Sequence, residues 1–188
     1  KTAVAGGALL AAATAGYQAA IMAPTELLAR QHSRWLAPWA ASQGMNLACL
    51  TGTTSSVSKQ KILDGLANGD IKILVGTHAL LEPEVLFSKL GLAVIDEQHR
   101  FGVRQRASLR EKGKADHQQC PHLLVMTATP IPRTLELTVY GDLDVCTIDD
   151  MPPGRQPVVS QVVPAADWSR VVEMLIETVH RGEQAYVV

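Results

Sequence analysis

The segment that most constrains the fold is the apolar run Leu90-Gly91-Leu92-Ala93-Val94-Ile95, which ends directly in Asp96 and Glu97. The run has the length of a strand and shows no alternation of apolar and polar residues. Such a run is typical of a strand that is buried on both faces, as in a parallel sheet covered by helices. It therefore predicts an α/β fold in which the two acids emerge at the carboxyl end of a strand.

The position of the two acids indicates a kind of site. In open α/β sheets, ligands bind outside the carboxyl ends of the strands. Adjacent carboxylates there suit a nucleotide, because one can hold Mg²⁺ against the phosphates while the other orients or deprotonates a water. An acid pair on its own is better explained as a solvated strand end, so the nucleotide interpretation depends on the rest of the chain.

Apolar strands and helices alternate over the first 150 residues. This order implies right-handed βαβ crossovers and a mostly parallel sheet flanked by helices. The predicted strands are 19–23, 46–50, 71–75, 92–95, 123–126 and 145–148. The predicted helices are 1–15, 24–43, 58–68, one near 104–112 and one after residue 134.

Two local details follow from side-chain spacing. Four residues of the second predicted helix lie at i, i+4 spacing and predict its buried stripe, which Leu28 and Leu36 widen; the four are Leu27, Gln31, Trp35 and Trp39. Trp35 and Trp39 are therefore interpreted as core residues and not as a base-stacking platform. In the next helix, Ser58 is predicted to be the N-cap.

Residues 151–157 contain three prolines and one glycine and are predicted to be a linker. They separate a domain at 1–150 from a new unit at 158–188. That unit is predicted to contain a strand at 158–163, a helix and a strand at 185–188. One βαβ unit has too few strands to bury a face, so it is expected to be the start of a second domain.

The composition excludes some classes of protein. Lys plus Arg number 17 against 18 Asp plus Glu, so any basic surface must be local. Cys49, Cys120 and Cys146 are odd in number and widely spaced, which favours a reducing cytoplasm over a disulfide framework. The Ala-rich start is too short to span a bilayer, and no membrane segment is expected.

Positive charge is concentrated in one stretch, where six basic residues face only Glu111 as an acid. They are Arg100, Arg104, Arg106, Arg110, Lys112 and Lys114. The stretch has two interpretations, a solvated helix face and a DNA-phosphate contact, and the sequence leaves both open.

Several short motifs resemble those of superfamily 2 helicases. Asp96-Glu97-Gln98-His99 resembles the DExH box, and Thr127-Ala128-Thr129-Pro130 resembles motif III. The stretch 23–29 resembles motif Ia, and Gly76-Thr77-His78 occupies the place of motif Ib. Lys1-Thr2 resembles the end of a P-loop. Longer strings, with the proline-rich linker, are similar to bacterial ATP-dependent DNA helicases of this superfamily.

The resemblance implies a fold and an activity. The fold is a RecA-like P-loop NTPase domain with a mostly parallel sheet flanked by helices at 1–150, plus the first βαβ unit of a second RecA-like domain at 158–188. The activity is that of an ATP-dependent DNA helicase or translocase, a monomer that uses ATP and Mg²⁺ on branched or forked DNA in recombination and repair. The alternatives are a transcription-repair coupling translocase and a catalytically silent nucleic-acid-binding module. The intact pair of Asp96 and Glu97 argues against the silent module.

The resemblance also implies roles at the nucleotide. Lys1 would reach the phosphates, while Thr2 and Asp96 would bind Mg²⁺. Glu97 would polarise the attacking water. His99 would sense the γ-phosphate, although without the motif it would be interpreted as a surface histidine. The P-loop glycines would precede Lys1, so the isolated fragment is expected to be inactive.

Other roles concern coupling and DNA. Thr127 and Thr129 would couple motif III to the acids. Their presence is explained equally well by the frequent use of threonine in turns and helix caps before a proline. Candidate nucleic-acid contacts are Thr25, Thr53, Thr77, Arg104 and Arg106. Each threonine is a weak signal on its own, because threonine is common in caps and turns.

Overall fold

The computed structural model describes residues 1–97, 109, 112, 120–128, 144–149, 154 and 158–188. The chain divides into two compact units, Lys1–Val145 and Cys146–Val188. Of the predicted segments, most of the charged helix near 104–112, the helix after residue 134 and most of the linker 151–157 lie outside the described residues. No helix within the described part is long and apolar enough to cross a membrane.

The first unit contains a five-stranded sheet in the order β2-β3-β1-β4-β5. All four strand pairings are parallel, with Ala20 of the central strand opposite both Leu74 and Ala93. The strands are β1 (Gln18–Met22), β2 (Asn46–Leu50), β3 (Ile71–Gly76), β4 (Leu90–Ile95) and β5 (His122–Val125). The predicted α/β fold with a mostly parallel sheet is confirmed.

Helices cover both faces of this sheet. They are α1 (Thr2–Thr14), α2 (Glu26–Ser42), α3 (Ser56–Ala67) and a 3₁₀ helix at His78–Leu81. Ala19 and Ile21 of β1 belong to one core with the buried residues of α1 and α2. Ala20 and Met22 belong to a second core with Leu66 of α3. Burial on both faces explains why β1 and β4 read as continuous apolar runs.

The small residues of α1 allow it to lie close to α2. A Cβ atom built on Gly6 would stand 2.5 Å from the ring of Trp35, so only glycine fits this contact without a shift. Leu9 and Ala13, on the same side of α1, are buried against the sheet. The composition of α1 is thus explained by packing.

One buried polar side chain joins three elements of the sheet layer. The Gln18 Nε2 group donates to Leu66 O at 2.9 Å and to Ile71 O at 2.8 Å. The Gln18 Oε1 atom accepts from Lys89 N at 2.9 Å. Both N–H donors and the oxygen of the amide therefore have partners, as burial of such a group requires.

The buried face of α2 differs from the predicted stripe. Its buried residues are Ala29, His32, Leu36 and Ala40. Of the predicted stripe, Leu36 is buried and Leu28 partly buried, so that part of the prediction is confirmed. Trp39 is 54% exposed and its ring stacks on that of Trp35 at 5.5 Å, so the interpretation of this pair as core was wrong. The buried residues follow the same helical period as the predicted ones, but each lies about one position later in the sequence, on a neighbouring face of the helix. Alanines allow the helix to approach the sheet closely, and a sequence pattern that counts large apolar residues misses this.

The N-cap of α3 was also predicted three residues too late. The helix starts at Ser56, and the Oγ of Ser55 accepts from Ser58 N at 3.3 Å. Ser58 therefore supplies the capped N–H group, while Ser55 is the cap.

The second unit contains a 3₁₀ helix at Ala165–Asp167 and the helix α4 (Trp168–His180), which confirms the helix predicted there. The strands predicted at 145–148, 158–163 and 185–188 are not formed at those described positions. Val159 and Val163 instead line an open groove with Val171 and Met174 of α4. A strand needs a hydrogen-bonded neighbour, and the described part of this unit supplies none.

Candidate functional site

The two acids emerge where the sequence predicts them. Asp96 follows β4 directly, and its N–H donates to Met22 O at the end of the central strand at 2.9 Å. Asp96 is buried, with 9% of its surface exposed, whereas Glu97 is half-buried. The carboxyl end of the central strands therefore carries one enclosed carboxylate and one that reaches solvent.

Glu97 has an unusual backbone conformation, with φ at +50°. This left-handed region is uncommon for a residue with a side chain and costs on the order of 1 kcal/mol or more. The Glu97 N–H donates to Asp96 Oδ1 at 3.0 Å, which helps to hold the turn. The strand β4 has ended by this point, at Ile95.

The closest partner of Asp96 is a residue that the sequence analysis did not select. His32 of α2 is buried, and its Nε2 lies 2.8 Å from Asp96 Oδ2. The only signal in the sequence was a histidine at the spacing of Ala29, Leu36 and Ala40. That signal becomes visible only when the alanine face of α2 is recognised as the buried one.

These contacts determine the charge of Asp96. Burial raises the pKa of its carboxyl group, but the hydrogen bond and charge of His32, the Glu97 N–H and Lys1 together lower the pKa by more. The net effect is a pKa below the usual value, so Asp96 is a carboxylate at neutral pH. With an ionised acceptor, the Nε2–H of His32 is the donor in the pair.

Lys1 lies close to the acid pair at the start of α1. Its Nζ stands 3.9 Å from Glu97 Oε1, and both side chains are partly exposed. An ion pair this open contributes little to stability by itself. Thr2 is the first residue of α1 and is exposed. The structure thus brings Lys1, Asp96 and Glu97 together beside a helix N-terminus, which favours anions.

Thr127 lies two residues beyond β5, the strand next to β4 in the sheet. Met126 N donates to Ile95 O at 2.8 Å, so the pairing continues to the residue just before Thr127. Thr127 is half-buried at the same edge as the acids. His99 and Thr129 lie outside the described residues.

Two predicted nucleic-acid contacts lie close to each other. The Oγ1 of Thr25 caps α2 by accepting from Leu28 N at 3.3 Å. The next residue, Glu26, accepts from Thr53 through Oε1, at 3.2 Å from the backbone N, and Oε2, at 2.7 Å from Oγ1. Arg30 donates to the same Thr53 hydroxyl at 3.2 Å. The loop after β2 is therefore tied to the first turns of α2.

A third predicted contact, Thr77, is not part of this group. Thr77 is only 3% exposed, and its hydroxyl has no hydrogen-bond partner within the described part of the chain. In this position the side chain is enclosed by the protein. Arg104 and Arg106 lie outside the described residues.

The parallel sheet with an acid pair at the end of a central strand is the RecA-like arrangement of helicase motors. The sequence profile of the DEAD/DEAH box helicases matches residues 1–138. The chain belongs to the DEAD/DEAH box helicase family.

Particular relatives are more similar than the family as a whole. The ATP-dependent DNA helicase RecG of Synechocystis sp. is 50% identical over the whole chain, which covers 22% of that protein. RecG of Streptococcus pneumoniae is 47% identical, again over the whole chain and 27% of the relative. The chain therefore spans about a quarter of the length of the curated relatives it matches.

Solved structures of helicases are also similar to this chain. A structure of RecG bound to a three-way DNA junction is 44% identical, with a TM-score of 0.78, over 96% of this chain and 23% of that one. The DUF1998 helicase MrfA bound to DNA and AMPPNP is 20% identical, with a TM-score of 0.64, over 91% of this chain and 27% of that one. At that identity the second likeness concerns the fold alone.

Proposed function

We propose that this chain is the motor portion of an ATP-dependent DNA helicase or translocase that acts on branched DNA in recombination and repair. The observation that carries the proposal is the convergence of Lys1, Asp96 and Glu97 at one sheet edge. Residues 1–150 are the first RecA-like domain, 151–157 the linker and 158–188 the start of the second. The similarity to RecG along the whole chain supports branched DNA as the substrate. The protein acts as a cytoplasmic monomer.

The donor set fits Mg²⁺. This cation prefers hard oxygen ligands and takes one or two carboxylates together with the phosphates of its nucleotide. Asp96 offers a carboxylate that stays ionised despite its burial, and Thr2 offers a hydroxyl. When bound, Mg²⁺ neutralises the charge that develops on the phosphates.

The remaining roles follow from what each side chain can do. Lys1 binds the phosphates as a point charge. Glu97, half-buried beside Lys1, orients and polarises the attacking water. His99, Thr127 and Thr129 report the state of the nucleotide to the rest of the motor.

DNA binding is assigned to the strand ends beside the nucleotide site. Thr25 and Thr53 lie near each other through Glu26. The Thr25 hydroxyl accepts from Leu28 N and keeps its proton to donate to a phosphate, whereas the N–H and hydroxyl of Thr53 would first have to leave the Glu26 carboxylate. Thr77 contributes through its backbone, since its side chain is enclosed. Arg104 and Arg106 supply positive charge to the same backbone.

The test is Glu97→Gln in the full-length protein. DNA-stimulated ATP hydrolysis is expected to fall by roughly 10²–10⁴-fold, because the amide cannot accept a proton from water. Binding of ATP and of a three-way junction is expected to be kept. The measurement is steady-state ATPase activity with and without junction DNA.

The matched control is Glu84→Gln, which neutralises an exposed glutamate that pairs with Lys59 at 2.9 Å. Its ATPase activity should equal that of the wild type. Near-normal turnover in Glu97→Gln would remove Glu97 from the mechanism, and absence of DNA-stimulated turnover in the wild type would refute the proposed function.

A further inference from the structure

His32 connects two parts of the molecule that the proposed function keeps separate. It lies on α2, whose first turn carries the proposed DNA contact Thr25, and it touches Asp96, the proposed Mg²⁺ ligand. The two residues are 64 positions apart in sequence, and their side chains meet at 2.8 Å in a buried environment.

Both oxygens of the Asp96 carboxylate are held by the protein. Oδ2 accepts from His32 and Oδ1 accepts from the Glu97 N–H. Because the Asp96 N–H is bonded to Met22 O, the backbone is fixed as well. Of these two groups that orient the carboxylate, only His32 is a side chain, and it belongs to α2.

The helix is a stiff connection between the two sites. His32 lies seven residues after Thr25, which corresponds to about 10 Å along the helix axis. Between them, Ala29 is buried against the sheet and Arg30 and Glu26 bind Thr53. Any displacement of the first turn of α2 would therefore also move the ring of His32.

We propose that His32 is a positioning residue that orients the Asp96 carboxylate toward Mg²⁺ and links it to the DNA-contacting end of α2. The inference rests on the proposed function. Outer partners of ligating groups commonly fix the geometry of the ligand, and their removal typically costs 10–100-fold in metal affinity. Any coupling between the DNA and Mg²⁺ sites acts equally in both directions.

A purely structural role makes a different prediction. If His32 only satisfied a buried carboxylate, its replacement would lower the free energy of unfolding and leave the Mg²⁺ requirement of nucleotide binding unchanged. The experiment must therefore measure Mg²⁺ dependence and thermal stability separately.

The experiment is a Mg²⁺ titration of the full-length protein with a fluorescent, non-hydrolysable ATP analogue. His32→Ala should raise the Mg²⁺ concentration at half-maximal binding by about 10–100-fold. His32→Gln, whose amide can still donate, should recover most of this loss. Gln31→Ala, an exposed neighbour on the same helix, should match the wild type.

The coupling is tested by repeating the titration with a three-way DNA junction. In the wild type the junction should lower the Mg²⁺ midpoint, by a factor in the range of about 5–150 that is usual for coupled sites. In His32→Ala this DNA-dependent shift should be lost. A wild-type shift in that variant would overturn the link through α2.

The outcomes separate this inference from the proposed function. If the wild type binds the nucleotide with Mg²⁺ and hydrolyses ATP with DNA, but His32→Ala and His32→Gln keep the wild-type midpoint, only the role of His32 is refuted. If the wild type does neither, the proposed function fails. Should His32→Ala not fold, His32→Leu, which fills the site but has no donor, takes its place, and a wild-type Mg²⁺ midpoint in folded His32→Leu would refute the positioning role.

Discussion

At the scale of single residues, the chemistry of Asp96 is set by the groups around its carboxylate. Burial alone would favour the protonated acid, which is a poor ligand for a cation. The donors of His32 and Glu97, together with the charge of Lys1, reverse this effect and lower the pKa of Asp96. The contacts that keep the carboxylate ionised therefore also stabilise the folded protein.

This shift predicts a dependence of stability on pH. Because the pKa of Asp96 is lower in the folded chain than its usual value of 3.8, the folded state binds the proton less readily than the unfolded state. The ionised form thus contributes stability above that value, and the contribution is lost as pH falls through it toward the folded pKa.

Asp96→Asn isolates this contribution. The difference in free energy of unfolding between wild type and Asp96→Asn should be larger at about pH 6 than at about pH 3, as measured by urea denaturation. Equal differences at the two pH values would show that the contacts of Asp96 do not favour its ionised form.

At the scale of elements, the short distance between α2 and the sheet determines which face of the helix is buried. Ala29 and Ala40 bring the helix axis near the sheet, and Leu36 fills the space between them. Trp35 and Trp39 cannot enter so narrow a space and lie at the edge, stacked on each other. The same rotation places His32 on the sheet side.

The buried face can be tested by truncation. Leu36→Ala should destabilise the chain by about 2–5 kcal/mol, because Leu36 is only 1% exposed and its removal leaves a cavity. Trp39→Ala should cost less than about 1 kcal/mol, as expected of a surface substitution. Urea denaturation of both variants gives the comparison, and a larger loss for Trp39→Ala would restore the predicted stripe.

At the scale of the whole molecule, the two units differ in how much they bury. The first unit has a sheet with a core on each face. In the second, α4 buries none of its residues, and Trp168, Ile176 and Val179 are each more than half exposed. The residues at 158–163 belong to no helix or strand.

Hydrogen exchange of the 188-residue chain should reflect this difference. Amides of β1 and β3 are bonded in a buried ladder and should exchange most slowly, whereas those at 158–163 should exchange within the fastest group. Mass spectrometry of peptides from these segments provides the measurement. Equal protection of the two sets would mean that the second unit is as stable as the sheet.

The sequence by itself determined the strands of the sheet and the position of the acid pair. Burial on both faces removes all alternation, so each central strand appears as an apolar run, and the first charged residues after it mark its end. The resemblance of Asp96-Glu97-Gln98-His99 to a DExH box was likewise contained in adjacent residues. These features depend on contacts or motifs that are local along the chain.

Only the tertiary structure decided which face of α2 is buried, that His32 meets Asp96, and that 158–163 forms no strand. Each depends on a neighbour distant in sequence: the sheet that alanines let α2 approach, a carboxylate 64 residues away, or a partner strand. The hydrophobic period and the residue types show which contacts a side chain is able to make. Which distant residue it actually contacts is decided by packing in three dimensions. For this reason the acids could be predicted and the histidine that holds one of them could not.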